Sequence, residues 1–154
     1  MAVVDEPVSS AKKDNVLPKK TDVYLNELSS GMCAINVMCM YARTHAADWR
    51  IRKYAADLLR NNQGFKRRVV SLSEKEGWSF SESINAQHEN ILYKMRGLRK
   101  AGVDAQFTPL TDSLLQSQIN TALLLSNTLD TSGAIMEEYI SALNAFKKRA
   151  KGMK

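Results

Sequence analysis

From Leu25 onward the apolar residues return in alternating steps of three and four: Leu25, Leu28, Met32, Ile35, Cys39, Ala42 and Ala46. That spacing keeps one stripe of a 3.6-residue helix apolar and predicts a helix lying in a bundle seam, opened by Thr21 or Asp22 as cap. A break is expected at Ala46 to Asp48, with Asp48 capping a second helix. The second helix repeats the pattern with Ile51, Ala55, Leu58, Asn62, Phe65, Val69 and Leu72. Asn62 is the one polar member of that stripe, the kind of residue that fixes register or holds water at some cost in stability.

Gly77 is the expected stop of the second helix, and Ser79 with Glu82 has capping-box spacing for a third. Its stripe is Ile84, His88, Ile91, Met95 and Leu98, with Gly102 as stop. Thr108 followed by Pro109 reads as cap and first turn of a fourth helix, with Leu115, Ile119, Ala122, Leu125 and Leu129 facing inward. Gly133 punctuates before a fifth, which carries Ile135, Met136, Tyr139, Ile140, Leu143 and Phe146. No segment alternates strongly enough to predict a strand. The expectation is all-α: an up-and-down four-helix bundle, with the third helix as an additional crossover element.

Residues 1–20 mix Pro, Ser, Lys and Asp without periodicity and read as a flexible lead-in. The bundle domain is expected over 21–148, followed by a basic, fraying tail at 149–154. With 154 residues, 44% hydrophobic and 25% charged, the chain has the balance of one globular domain that needs no disulfide or structural metal. Cys33 and Cys39 are six positions apart, about 120° around a helix, so they cannot pair within it and read as packed thiols. No apolar run approaches the roughly 18 residues of a membrane span, and the first twenty residues lack the apolar core of a signal peptide. As written the chain reads as cytoplasmic, or as periplasmic or secreted if a signal peptide once preceded it.

The net charge of +6 is concentrated. Between Arg50 and Arg68 stand seven cations and one acid, Asp57. On the heptad that places Ala55 at a and Leu58 at d, Lys53, Arg60 and Arg67 all fall opposite the core. This outward basic stripe suits an acidic protein surface, or a phosphate backbone, and is also what a solvated helix face looks like. Trp49 and Trp78, near helix ends, are candidate interface anchors. Tyr54 and Phe65 fall at or beside the seam instead of interleaving with the cations, which weakens the nucleic-acid reading.

Other chemistry finds less support. A ferritin-type metal site needs inward Glu residues and two Glu-x-x-His spacings, and the chain has none. His88 lies on an apolar stripe and reads as a satisfied core histidine. His45 sits near a helix C-terminus, where the dipole favours its charged form. Met32, Met38, Met40, Cys33 and Cys39 are soft donors of the type that binds Cu(I), but they spread around the helix and coincide with its core. Phosphate-loop, dinucleotide and nucleophile-elbow motifs are absent. No metal, cofactor or catalytic activity is expected.

Two stretches carry a resemblance. In RKYAADLLRNN with FKRRVVSLSEKEGW, the residues Lys53, Tyr54, Ala55 and Leu58 are followed by Asn61 and Asn62. In LLQSQINTALLL, Gln118 is followed four positions later by Ala122. Over about residues 50–130 the chain resembles a ferritin-like family of uncharacterised bacterial four-helix proteins, described as exported or outer-membrane proteins. That family has Asp-His where Asn61 and Asn62 stand, and His at the place of Ala122. The resemblance implies the bundle fold, with the family's core-facing histidines replaced.

These readings converge on a non-catalytic bundle that presents Lys53, Arg60 and Arg67, with Trp49 or Trp78 nearby, to an acidic protein partner. A nucleic-acid binder using the same stripe is the first rival. A metal or redox protein using His88 with bundle carboxylates is the second. Oligomeric state is left open.

Overall fold

The computed structural model describes residues 20–128 and 133–153, so the lead-in at 1–19, Leu129 and Lys154 lie outside the described residues. It is all-helical and contains five helices packed together: α1 (Lys20–His45), α2 (Trp49–Glu76), α3 (Ala86–Arg96), α4 (Lys100–Thr128) and α5 (Gly133–Lys151). No strand occurs among the described residues. No described helix is long and apolar enough to cross a membrane.

The three-four spacing of α1 translates directly into burial, since all seven of its predicted seam residues are buried. Each fully buried Leu or Ile contributes about 1.5–3 kcal/mol relative to exposure. The α1–α2 turn forms where expected. Asp48 sits in extended backbone and its carboxylate accepts the Arg50 amide, while Gly77 ends α2 in the left-handed region at φ 73°. Arg52 reaches back and donates to the carbonyls of Ala46 and Ala47 at 2.9 and 2.6 Å, satisfying acceptors that the end of α1 leaves free.

Side-chain bonds fix the helix directions. Asn62 on α2 donates to the Met32 carbonyl of α1, and Arg52 meets Ala46, so residue numbers fall on one helix as they rise on the other. On the other side of α1, Gln118 meets Leu28 and Thr111 meets Met38, again antiparallel. Helix α5 runs antiparallel to α2, through Tyr54 with Phe146 and Tyr139 with Asn62. It also runs antiparallel to α4, through Lys147 with Asp112 and Gln118 with Tyr139. The short α3 lies against α1 and α4 and runs parallel to α1, as the pairs Ser30–His88 and Tyr41–Arg96 show.

Five boundaries differ from the sequence reading. Ser79 and Glu82 do not open the third helix; Asn85 caps it, its side chain accepting the His88 amide. The cause lies in α1, whose side chains take the loop's polar groups. Asp22 accepts from the Ser79 amide, Asn26 from the Ser81 amide and Ser30 from the Asn85 amide, while Ser29 donates to the Ser81 carbonyl. Glu82 turns away to Lys66. Held this way, residues 78–85 remain extended along α1. Asp22 is accordingly a clamp on this loop, and α1 is already helical at Lys20.

Gly102 does not stop α3, which ends at Gly97; Gly102 lies within α4, against the Leu98 side chain. Thr108 and Pro109 do not begin α4 but sit inside it. Pro109 is on the solvent side, so the carbonyl four residues back, at exposed Ala105, can turn to water instead of lying unpaired in the core. Finally, the last helix extends beyond residue 148. α5 continues to Lys151 with Ala150 buried, and the Arg149 guanidinium is held by Asp57 at 2.9 Å and lies over the Tyr54 ring.

Candidate interaction surface

The predicted basic stripe is outward, as the heptad required: Lys53, Arg60 and Arg67 are all exposed. Most of the cations around it are already engaged within the molecule. Lys53 and Arg60 both lean on Asp57, at 3.5 and 3.6 Å, and Arg149 of α5 reaches the same carboxylate. Burial opposes ionisation of Asp57, but Arg149 and Lys53 outweigh it and hold its carboxyl below the usual range. Arg50 pairs with Asp48, Lys66 with Glu82 and Arg68 with Glu138. Of the seven cations in the segment only Arg67 and Arg52 have no carboxylate within 4.0 Å among the described residues, and Arg52 is occupied by the end of α1. The stripe is therefore less naked than its sequence suggests.

The two tryptophans do not share a site. Trp49 opens α2 and Trp78 follows its end, which separates them by roughly 40 Å of helix at 1.5 Å per residue. Trp78 is half-buried and packs on the core. Trp49 is 64% exposed, and with Arg50, Lys53, Arg149 and Met153 it lines a hollow of about 240 Å³. An indole exposed beside three guanidinium or ammonium groups is the strongest anchor on this face.

A groove of about 480 Å³ lies further along α2 and had no counterpart in the sequence reading. Gln63, Lys66, Arg67, Val70 and Glu74 of α2 form one wall, with Asn36 of α1 and Glu82 of the α2–α3 loop opposite. Its signal was the mixed-charge face Lys66, Arg67, Glu74, which is legible only when the path of the loop carrying Glu82 is known.

Behind Asn36 runs a buried polar chain. The Asn62 amide donates to Asn36 Oδ1 and to the Met32 carbonyl, both at 2.9 Å. Tyr139 donates to Asn62 Oδ1 at 2.7 Å and accepts from Gln118 Nε2 at 3.1 Å, which also donates to the Leu28 carbonyl. Burial pushes the Tyr139 hydroxyl far above its ordinary pKa, so it stays a donor. Gln118 Oε1 has no partner and rests against Gly31, where a Cβ would collide with it. The seam Asn62 is thus a fully satisfied core residue, whose cost is met by two helices beyond its own.

His88 is likewise buried, with one ring nitrogen hydrogen-bonded. Its Nδ1 shares a hydrogen bond with Ser30 Oγ at 2.6 Å, and Glu27 stands 3.7 Å from Nε2. Burial lowers its pKa and Glu27 opposes the shift in part. Serine, histidine and glutamate together have the makings of a nucleophile and its base. Here, however, Ser30 is 2% and His88 1% exposed, and Ser30 Oγ also accepts the Asn85 amide. The trio pins the start of α3 to α1. Among the described residues no group of three or more His, Cys, Asp or Glu side chains is placed to hold a metal ion. Cys39 is buried, which pushes its thiol well above the ordinary value, and Cys33 is half-buried.

Comparison with protein-family models, curated proteins and solved structures finds no match in any of the three.

Proposed function

We propose that the chain is a non-catalytic interaction protein whose α2 face docks an acidic protein partner. The observation that carries this reading is Trp49, an exposed indole at the head of α2, ringed by Arg50, Lys53 and Arg149. Aromatic and arginine side chains dominate binding energy where they can be desolvated together, and flanking cations steer an acidic surface onto them. Arg60 and Arg67 extend the positive face along the helix. The antiparallel contacts among α1, α2, α4 and α5, with α3 returning between α2 and α4, support a four-helix bundle with one crossover, the ferritin-like arrangement that the resemblance implies. The rigid bundle is the platform and the α2 face is the tool.

The experiment is a pull-down from the native source with the wild-type chain, Trp49→Ala, and the triple reversal Lys53→Glu/Arg60→Glu/Arg67→Glu, with and without nuclease. The reading expects a nuclease-resistant protein partner that both variants lose. Retention by both variants would sink it. Capture that disappears with nuclease, and falls steeply with salt, would favour nucleic acid instead.

A further inference from the structure

The α2 groove differs from the Trp49 hollow in the sign of its charges. It contains two cation–anion sets, and only one of them is closed: Lys66 on α2 and Glu82 on the loop meet at 2.5 Å. The second set is open. Arg67 and Glu74 are both exposed, both line the groove, and neither has an oppositely charged partner within 4.0 Å among the described residues. Seven residues apart, they lie on the same face of α2 about 10 Å from each other along its axis, with Val70 between them. Asn36, whose oxygen is engaged by Asn62, offers its remaining amide hydrogens to the groove. The buried chain through Tyr139 and Gln118 holds that floor in place.

We propose that this groove binds an extended peptide segment of a protein partner that carries an acidic and a basic residue two or four positions apart, set over Arg67 and Glu74 respectively, in either chain direction. Same-face residues of an extended chain recur at about 7 and 13 Å, which brackets the Arg67–Glu74 separation within the reach of these long side chains. A residue of modest apolar character covers Val70. A uniformly acidic segment is disfavoured because it would bring like charge to Glu74 and Glu82. A small zwitterionic metabolite fits less well, since such ligands require sites that bury most of their surface and this groove is open to solvent. The inference rests on the reading of α2 as the docking helix and adds the polarity of what docks.

The test uses the intact chain as bait for a random displayed-peptide library, followed by anisotropy titration of a labelled, enriched peptide. The variant is the charge exchange Arg67→Glu/Glu74→Arg, which alters exposed residues only and leaves the net charge at +6. The expected result is enrichment of segments with an acid and a base two or four positions apart, a loss of about tenfold or more on the exchanged protein, and recovery when the peptide's two charges are exchanged as well. No enrichment, or a peptide whose affinity ignores the exchange, overturns the proposal. Because net charge is conserved, a natural partner lost from Trp49→Ala but retained by the exchanged protein would leave the docking reading standing while removing this one.

Discussion

Two faces of α2 treat polarity in opposite ways. Inward, Asn62 is wholly buried, and its amide is matched to groups on α1 and α5 at 2.7–2.9 Å. Outward, Lys53 and Arg60 share Asp57 at 3.5 and 3.6 Å, and Arg67 has no carboxylate within 4.0 Å among the described residues. In the core, a polar atom left alone forfeits its hydration, so its partners are specified. At the surface water substitutes for any missing partner, and stability is nearly blind to the arrangement. Charge on the outer face is therefore free to serve recognition, whereas the inner polar groups hold the fold.

The largest expected break of that contrast is Asn62→Ala. It strands the Tyr139 hydroxyl and opens a cavity, and should cost about 3 kcal/mol in urea unfolding. A loss below about 1 kcal/mol would show that the inner network is not structural. Next is Gly31→Ala, expected to destabilise by about 2 kcal/mol because Gln118 must give up its contacts with Leu28 and Tyr139. The control is Gly64→Ala on the same α2 as Asn62, where the added Cβ meets nothing closer than the Arg67 guanidinium at 4.0 Å. There the ordinary helix preference should apply and stabilise by about 0.5–1 kcal/mol. Equal signs at the two glycines would dissolve the distinction.

A smaller effect is tied to pH. The folded pKa of His88 lies below its unfolded value of 6.5, so the unfolded chain binds more protons in the interval between them. Stability is full above 6.5 and falls as pH drops towards the folded value, with a slope of at most about 1.4 kcal/mol per pH unit. Thermal melts of wild type and His88→Gln between pH 7 and pH 5 should differ in slope, the variant being flatter. The smallest effect belongs to the outer face. Lys53→Glu/Arg60→Glu/Arg67→Glu should shift unfolding free energy by no more than about 1 kcal/mol, even where it removes binding. A larger loss would mean that the stripe is part of the scaffold.

Much of the fold was legible because burial follows period. The seams of α1 and α2, the Asp48 cap and the Gly77 stop are local patterns whose physics acts within a few residues. What could not be read was long-range. The Ser79–Glu82 spacing favours a helix start, but Asp22, Asn26 and Ser30 more than fifty residues earlier claim the same loop. Thr108–Pro109 favours a start as well, yet its solvent-facing position lets α4 run through it. For the candidate site, the outward direction of Lys53, Arg60 and Arg67 followed from the heptad, whereas the competition of Arg149 for the Asp57 carboxylate that Lys53 and Arg60 share required the packing of α5. The groove depended on Glu82 arriving opposite Lys66, and the separation of Trp49 from Trp78 on the length of α2.

The antiparallel contacts carry a consequence for the electric field. Because α1 and α5 run one way while α2 and α4 run the other, each end of the four gathers two helix starts and two helix finishes, and their macrodipoles largely cancel. Over a single turn, however, the nearest terminus dominates, and a partner at Trp49 meets the start of α2, whose free amides add positive potential to Arg50, Lys53 and Arg149. That backbone share of the attraction would survive substitution of all three side chains.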